Sequence, residues 1–284
     1  MIEQVKAKAH KVHTTKSSWI IHTILALGAL LFIVPFLWMV LTSLKTLAEA
    51  THVPMLFFPA QLQWNNYAQA FSTLPFLTFY QNTLLMTIGR TLGQLTFCSL
   101  AAYAFARIEF PGRNIIFVVV LSILMIPSYV YLVPQYLIMK DLHWLNSLQA
   151  LIVPGLFSSF GTFLLRQFFL SLPKELDEAA CLDGANHLQI YWYVILPLAK
   201  SALIALAILT ILWSWNDLIW PLVVNDSTDK MTLAVGLATL QGEHGTNFPV
   251  LMAGAVLASW PMLVMFIVFQ RHFIEGIAIT GTKG

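Results

Sequence analysis

Charge is what this sequence has least of. Only 10% of its 284 residues are charged and 58% are hydrophobic, with a mean hydropathy of +0.75. A soluble domain carries about 25% charged residues because its surface faces water. So sparse a set cannot coat a water-facing surface, and lipid is the solvent that fits. The net charge of +2 is too small to point to a nucleic-acid partner. There are two cysteines, Cys98 in an apolar run and Cys181 in a charged stretch, and they make no disulfide framework. No His, Cys and carboxylate cluster has metal-ligand spacing; His10, His13 and His22 are scattered in the N-terminal region. No G-x-x-x-x-G-K-[ST] loop is present to wrap phosphates. The end, Gly281-Thr282-Lys283-Gly284, lacks both the spacing and the following hydroxyl. No nucleophile-base set or close carboxylate pair falls within one segment, so no catalytic residue is assigned and an intramembrane enzyme has no footing.

Long apolar windows are what the sequence does have. At about 20 residues per crossing, six are expected: Trp19–Leu44, Thr78–Ala106, Asn114–Met139, Ser147–Leu170, Lys200–Val224 and Pro249–Phe273. Pro127, Pro134 and Pro154 interrupt the third and fourth, where kinks are expected. The first window follows Lys6, Lys8, Lys11 and Lys16, and Ala48-Glu49-Ala50 resembles a leader-cleavage site. Its apolar run, Ile24 to Leu41, exceeds the ~7–15 residues of a leader core and reads as a span.

Lysine and arginine orient the chain. Eleven fall in the tails and in alternate loops (Lys6, Lys8, Lys11, Lys16, Arg107, Arg113, Arg166, Lys174, Lys200, Arg271 and Lys283). Lys45, Lys140 and Lys230 fall on the other side, and Arg90 within a span. The positive-inside rule then puts both termini in the cytoplasm. Arg90 lies about 25 Å along the helix from Arg107 at 1.5 Å per residue. That height is near the outer boundary, where it either snorkels or borders a transport path.

The connection between the fourth and fifth windows is unlike the other loops. Ser171 is placed to cap a helix whose first turn holds Pro173. Glu175, Asp177 and Glu178 suit its positive end. Leu176, Ala179 and Ala180 form one small apolar face, and Gly184 supplies a turn. A second helix, about His187 to Val194, is expected to end before Pro197. A small face on a short helix between two spans suits a groove on a partner, and equally an ordinary surface loop.

Glu178-Ala179-Ala180, Gly184 four residues later, and Leu196-Pro197 resemble the EAA signature of ABC importer permeases. Asn65-Asn66-Tyr67, Ala101–Arg107, Trp215-Asn216-Asp217 and the Gln270-Arg271, Glu275-Gly276 and Lys283-Gly284 pairs are similar to the carbohydrate branch, the maltose and glycerol-3-phosphate type. The resemblance implies an all-α membrane protein with the six-helix, type I (MetI-like) permease fold. It implies a tail over residues 1–18, a permease domain over 19–274 with its coupling loop at 171–197, and a tail over 275–284. In that loop Glu178, Ala179, Ala180, Asp183, Gly184, Leu196 and Pro197 would meet an ATPase subunit. Lys283 and Gly284 resemble tails that reach the ATPase interface. The implied partners are two ATPase subunits that bind ATP and Mg, a second, homologous permease, and an external binding protein. The implied cargo is a sugar, oligosaccharide or polyol, with glycerol 3-phosphate as the alternative.

Residues for the cargo path are less sharply marked. Asn216 and Asp217 fall near the outer end of the fifth window, among Trp213, Trp215 and Trp220. Such a set suits sugar binding, and it equally suits an interfacial aromatic belt, the commoner use. Ser158, Ser159 and Thr162 either line a polar path or pack helices. A secondary transporter would need midplane carboxylates and repeated halves, and neither is seen.

Overall fold

The computed structural model describes residues 16–242 and 245–281. It divides into two units, one reaching Ala70 and including Asn247–Val256, the other holding Phe71–Thr246 and the chain from Leu257.

In the first unit α1 (Lys16–Ser43) is apolar all round. From Ile21 to Leu41 none of its residues is buried, and Leu31 and Phe32 are 74% and 80% exposed. A helix that offers such a surface needs lipid around it. Its far end is tied down instead. There α2 (Leu47–Ala50) is opened by a capping box between Thr46 and Glu49, and α3 (Asn65–Thr73) follows. The Asn66 amide donates to the Ser43 and Lys45 carbonyls, both at 2.8 Å, and Tyr67 meets the Ser43 hydroxyl at 2.8 Å. Asn66 thus satisfies carbonyls at and just beyond the end of α1. Lys45 is buried, donating to the Leu56 carbonyl at 2.6 Å and lying 4.1 Å over the Trp38 ring.

The second unit is built around α4 (Phe76–Arg107), whose 32 residues span about 48 Å at 1.5 Å each. A polar stripe runs through it, with Asn82, Thr83, Thr87, Arg90, Thr91, Gln94 and Ser99 all buried. Next come α5 (Arg113–Ser122), two 3-10 turns on either side of Pro127, and α6 (Leu132–Asp141). Then α7 (Leu148–Ile152) passes through a 3-10 turn at Val153–Gly155 into α8 (Ser159–Ser171). Short helices α9 (Glu175–Leu182), α10 (His187–Ile190) and α11 (Leu196–Leu198) lead to α12 (Lys200–Trp215), and α13 (Ile219–Val224) and α14 (Leu233–Ala238) follow. A two-residue antiparallel pair, Gln241–Gly242 with Gly245–Thr246, precedes α15 (Phe248–Gly281), which opens in the first unit.

Gly89 and Gly93, one turn apart on α4, let the broken α7–α8 path come close. A methyl group on either would fall within 2.8 Å of Ile152 or 2.3 Å of Leu156. Two apolar cores flank this contact. One gathers Cys98, Ala102, Leu165, Phe169, Ile195 and Leu206. The other gathers Met86, Met139, Leu151, Trp220 and Val224.

Among the described residues, three helical stretches are long and apolar enough to cross a membrane: Ile21–Ser43, Leu148–Ser171 and Phe248–Gln270. His187–Leu198 with Lys200–Trp215, bent by 78°, makes a fourth at most. The other expected windows differ for identifiable reasons. The polar stripe lowers the apolarity of α4, and Pro127 splits the third window into 10-residue helices. Pro134 causes no break, because it sits in the first turn of α6. The last window runs on as helix to Gly281 rather than closing at Phe273.

Candidate functional site

The α9–α11 segment forms from local rules that the sequence only partly announced. Ser171 is not the cap: it ends α8, and its hydroxyl donates to the Phe168 carbonyl at 2.7 Å. The helix starts at Glu175, one residue beyond Lys174, with Glu175, Asp177 and Glu178 in its first turn. It closes in a Schellman motif. The Ala185 N–H reaches the Ala180 carbonyl at 2.9 Å and the Gly184 N–H reaches Cys181 at 3.0 Å. Gly184 takes φ +83°, with open space where a Cβ would point, so its need is conformational.

The second helix differs more from expectation. Asn186 and Gln189 form a capping box that opens α10. The helical path then continues through a π-turn, Tyr191–Ile195, into α11, so Pro197 lies inside it rather than beyond its end. The widened turn accommodates a residue that lacks an N–H and crowds the carbonyl four residues back. The break comes at Ala199, where the path bends by 78°.

Glu178, Ala179, Asp183, Gly184 and Pro197 are exposed. Ala180 and Leu196 pack instead against the chain's own core, so the small face expected on α9 is divided between inside and outside. Leu182 and Leu188, 90% and 69% exposed, supply the outward apolar surface. The segment is anchored to α4 through Arg107, which pairs with Asp177 at 3.0 Å and donates to the Leu172 carbonyl at 2.9 Å. Burial pushes the Asp177 carboxyl above its ordinary range, and Arg107 draws it part of the way back. Arg107 stood in the sequence as part of a family pattern; its partner did not.

The second constellation is buried in the same unit. Arg90 does not snorkel. It is 8% exposed, pairs with Asp217 at 2.8 Å, and donates through Nε to the Leu151 carbonyl at 2.7 Å. Its stem lies against Gly155, where any Cβ would come within 2.6 Å. Gln94, one turn along α4, donates to the Gly155 carbonyl at 3.0 Å and accepts from the Thr210 hydroxyl at 2.9 Å. Beside the ion pair is a cavity of about 360 Å³ whose wall includes Tyr129, Tyr131, Gln135, Asp217 and Trp220.

The aromatic-belt reading fails for two tryptophans. Trp215 and Trp220 are both 8% exposed and donate to the Ala258 and Ala150 carbonyls at 3.1 and 2.8 Å. Trp213 is 52% exposed, edge-on to Phe160. Asn216 is exposed and bonds back to the Leu212 carbonyl, so it does not join Asp217 in the pair. Ser158 caps α8 by accepting from the Gly161 N–H at 3.2 Å, Ser159 is buried beside it, and Thr162 bonds to the Ser158 carbonyl. These three hydroxyl residues sit at a helix start and are not among the residues of the Arg90 cavity wall. Lys283 and Gly284 lie outside the described residues, as do residues 1–15. Both cysteines are free, and no group of three metal-ligating side chains occurs among the described residues.

Residues 94–278 match the family described as binding-protein-dependent transport system inner membrane component. Over 270 residues the chain is 37% identical to the arabinooligosaccharides transport system permease protein AraQ of Halalkalibacterium halodurans, covering 94% of this chain and 97% of that one. It is 32% identical over 265 residues to the sn-glycerol-3-phosphate transport system permease protein UgpE of Yersinia enterocolitica, covering 90% and 94%. The fold is similar to a chain in the crystal structure of a bacterial ABC transporter involved in the import of the acidic polysaccharide alginate. There the TM-score is 0.80 at 25% identity, over 91% of this chain and 98% of that one. Fold, sequence and residue pattern agree, and the chain belongs to the binding-protein-dependent transport system inner membrane components, the permease subunits of ATP-binding-cassette importers.

Proposed function

We propose that this chain forms one half of a translocation path for a sugar, oligosaccharide or polyol, paired with a second, homologous permease. An external binding protein delivers the cargo. Two separate ATPase subunits bind ATP and Mg, and the chain itself is not an enzyme. In this reading the chain crosses the membrane six times with both termini in the cytoplasm. The α4 helix and the proline-split α5–α6 path complete the count, their polar faces turned away from lipid. Residues 171–197 then lie in the cytoplasm and receive the ATPase, and the tails over 1–18 and 275–284 lie on the same side. Glu178, Ala179, Asp183, Gly184 and Pro197 offer contact, Ala180 and Leu196 hold the segment to its core, and Lys283-Gly284 reaches the ATPase interface. Asp217 borders the cargo path, with Asn216 at its rim and Ser158 and Ser159 further along it.

The observation that carries the coupling role is the exposure of Leu182 and Leu188 on a segment clamped to α4 through Arg107. An apolar surface outside the spans is favourable only where something covers it, and the clamp passes its displacement to the central helix. A glycerol-3-phosphate importer is the second reading, favoured by the likeness to UgpE.

Two measurements test the proposal. The purified chain should hydrolyse no ATP, whereas the complex with ATPase subunits and binding protein should do so faster with cargo present. Hydrolysis by the isolated chain defeats the assignment. Single cysteines at Asn114 and His143 should react with impermeant thiol reagents from opposite faces, the first from the cytoplasm. Reaction of both from one face defeats the six-span count.

A further inference from the structure

We infer that the cavity beside Arg90 and Asp217 is a subsite for an uncharged polyhydroxylated cargo unit, and that the ion pair turns anionic cargo away. This deepens the permease reading above and rests on it.

The location is the first argument. The cavity wall draws on three interruptions of helical structure: Tyr129 and Tyr131 near Pro127, Gly155 beside Pro154, and Asp217 between α12 and α13. Non-helical backbone at membrane depth is tolerated where it lines a protein-walled or watered cavity. Discontinuous helices are also where transporters place their cargo sites. The volume of about 360 Å³ is at the small end of the range for ligand pockets, about 300–1,000 Å³.

The wall chemistry is the second. Trp220 spends its N–H on the Ala150 carbonyl and so offers the cavity only its ring. Tyr129 and Tyr131 are 69% and 41% exposed and bring hydroxyls. Gln135 adds an amide that both donates and accepts. A polyol has hydroxyls that donate and accept in alternation and apolar C–H faces between them, and this wall answers both.

Charge supplies the discrimination. Arg90 is the one cationic side chain on the wall among the described residues, and it is held by Asp217 at 2.8 Å and by the Leu151 carbonyl at 2.7 Å. Its charge is therefore offset and its geometry fixed before cargo arrives. A phosphate or carboxylate entering the cavity would meet the Asp217 carboxylate, 23% exposed, in a medium that screens poorly. A neutral hydroxyl group finds in the same carboxylate an acceptor. The names of the relatives include both kinds of cargo, arabinooligosaccharides on one side and glycerol 3-phosphate on the other, so the pair separates real alternatives.

The test uses the complete importer with Ser128, on the cavity wall, replaced by cysteine (Ser128→Cys) in a Cys181→Ser background. The rate of modification by a small neutral maleimide is measured with arabinotriose, glycerol 3-phosphate or an oligouronate present. Arabinotriose at roughly ten times its dissociation constant should slow labelling about tenfold, and the two anions should leave the rate unchanged. Adding Asp217→Asn uncovers Arg90 and should let glycerol 3-phosphate protect. Protection by the anions in the Asp217 protein, or by none of the three probes, overturns the proposal. Persistent exclusion of anions by an assembled Asp217→Asn complex overturns the role of the pair. If Asp217→Asn does not assemble, the three probes on the Asp217 protein decide alone. ATP hydrolysis stimulated by the binding protein, measured in the same samples, distinguishes failure of the subsite from failure of the permease reading. If it persists while no probe protects, the subsite falls and the permease reading stands.

Discussion

The α9–α11 segment and the Arg90–Asp217 pair belong to one unit and are stabilised in opposite ways. The first is short and outward-facing, held by caps, a Schellman turn and one ion pair at its root. The second joins residues 127 positions apart in the chain, a buried arginine and a half-buried aspartate that neutralises it. A segment held by its own turns can present a surface to a partner without disturbing the fold behind it. A buried pair cannot be altered on one side without exposing the other side's charge to a poor solvent. Damage should therefore spread from an ion pair, the Arg107–Asp177 root of the segment included, and stay local in the segment's turns and caps.

The sharpest way to break that contrast is Arg90→Ala. Leaving the half-buried Asp217 carboxylate unpaired should cost up to about 3 kcal/mol, the low end of the range for breaking a buried pair, and thermal unfolding of the purified complex should register the loss. The double replacement Arg90→Met with Asp217→Leu should recover most of it, since an apolar pair leaves no charge unpaired. Equal losses in the single and double variants would refute the pair as the source. A second effect is expected at Gly184. Valine there must adopt φ +83°, a strain of about 1–3 kcal/mol, whereas Gly184→Asn should be milder because Asn enters that region more readily. Hydrogen exchange should show the change confined to amides of residues 175–185.

Legibility follows the same division. Gly184, the acidic first turn of α9 and the break near Pro127 were readable because each is decided by residues within a turn of one another. Ser171 misled because a hydroxyl near the end of one helix looks the same as a cap for the next. Pro197 misled because a π-turn accommodates it, and the sequence marks no such turn. The Arg90–Asp217 pair has no local signature. A usable signal was present, however: one arginine and one aspartate, each alone in apolar surroundings, are costly unless they meet. The Gly89 and Gly93 spacing likewise marked a close helix contact. The aromatic-belt reading of Trp215 and Trp220 fails because their N–H groups find carbonyls in packed elements far along the chain.

Smaller effects sharpen the description of the segment itself. Asn186→Ala removes the cap of α10 and should cost about 1 kcal/mol, read as faster exchange at residues 187–190. Asp177→Asn keeps an oxygen acceptor for the buried Arg107 guanidinium while removing the titrating carboxylate. Burial raises the Asp177 carboxyl above its ordinary value despite Arg107, so the folded state binds more protons than the unfolded one just above the usual carboxylate range. Its contribution therefore favours the fold as pH falls through that window and opposes it as pH rises. Exchange at α9 should depend on pH in this sense in the Asp177 protein and lose the dependence in Asp177→Asn.

In the proposed function energy enters through α9–α11 while cargo passes beside α4. Leu182→Asp tests it most directly, because Leu182 is 90% exposed and supports none of the fold. The measurement is ATP-driven cargo uptake by proteoliposomes holding the complete importer, with cargo-stimulated hydrolysis followed in parallel. Expected are normal abundance of the variant chain, loss of uptake and loss of stimulated hydrolysis. Uptake and hydrolysis equal to those of the Leu182 protein would contradict it.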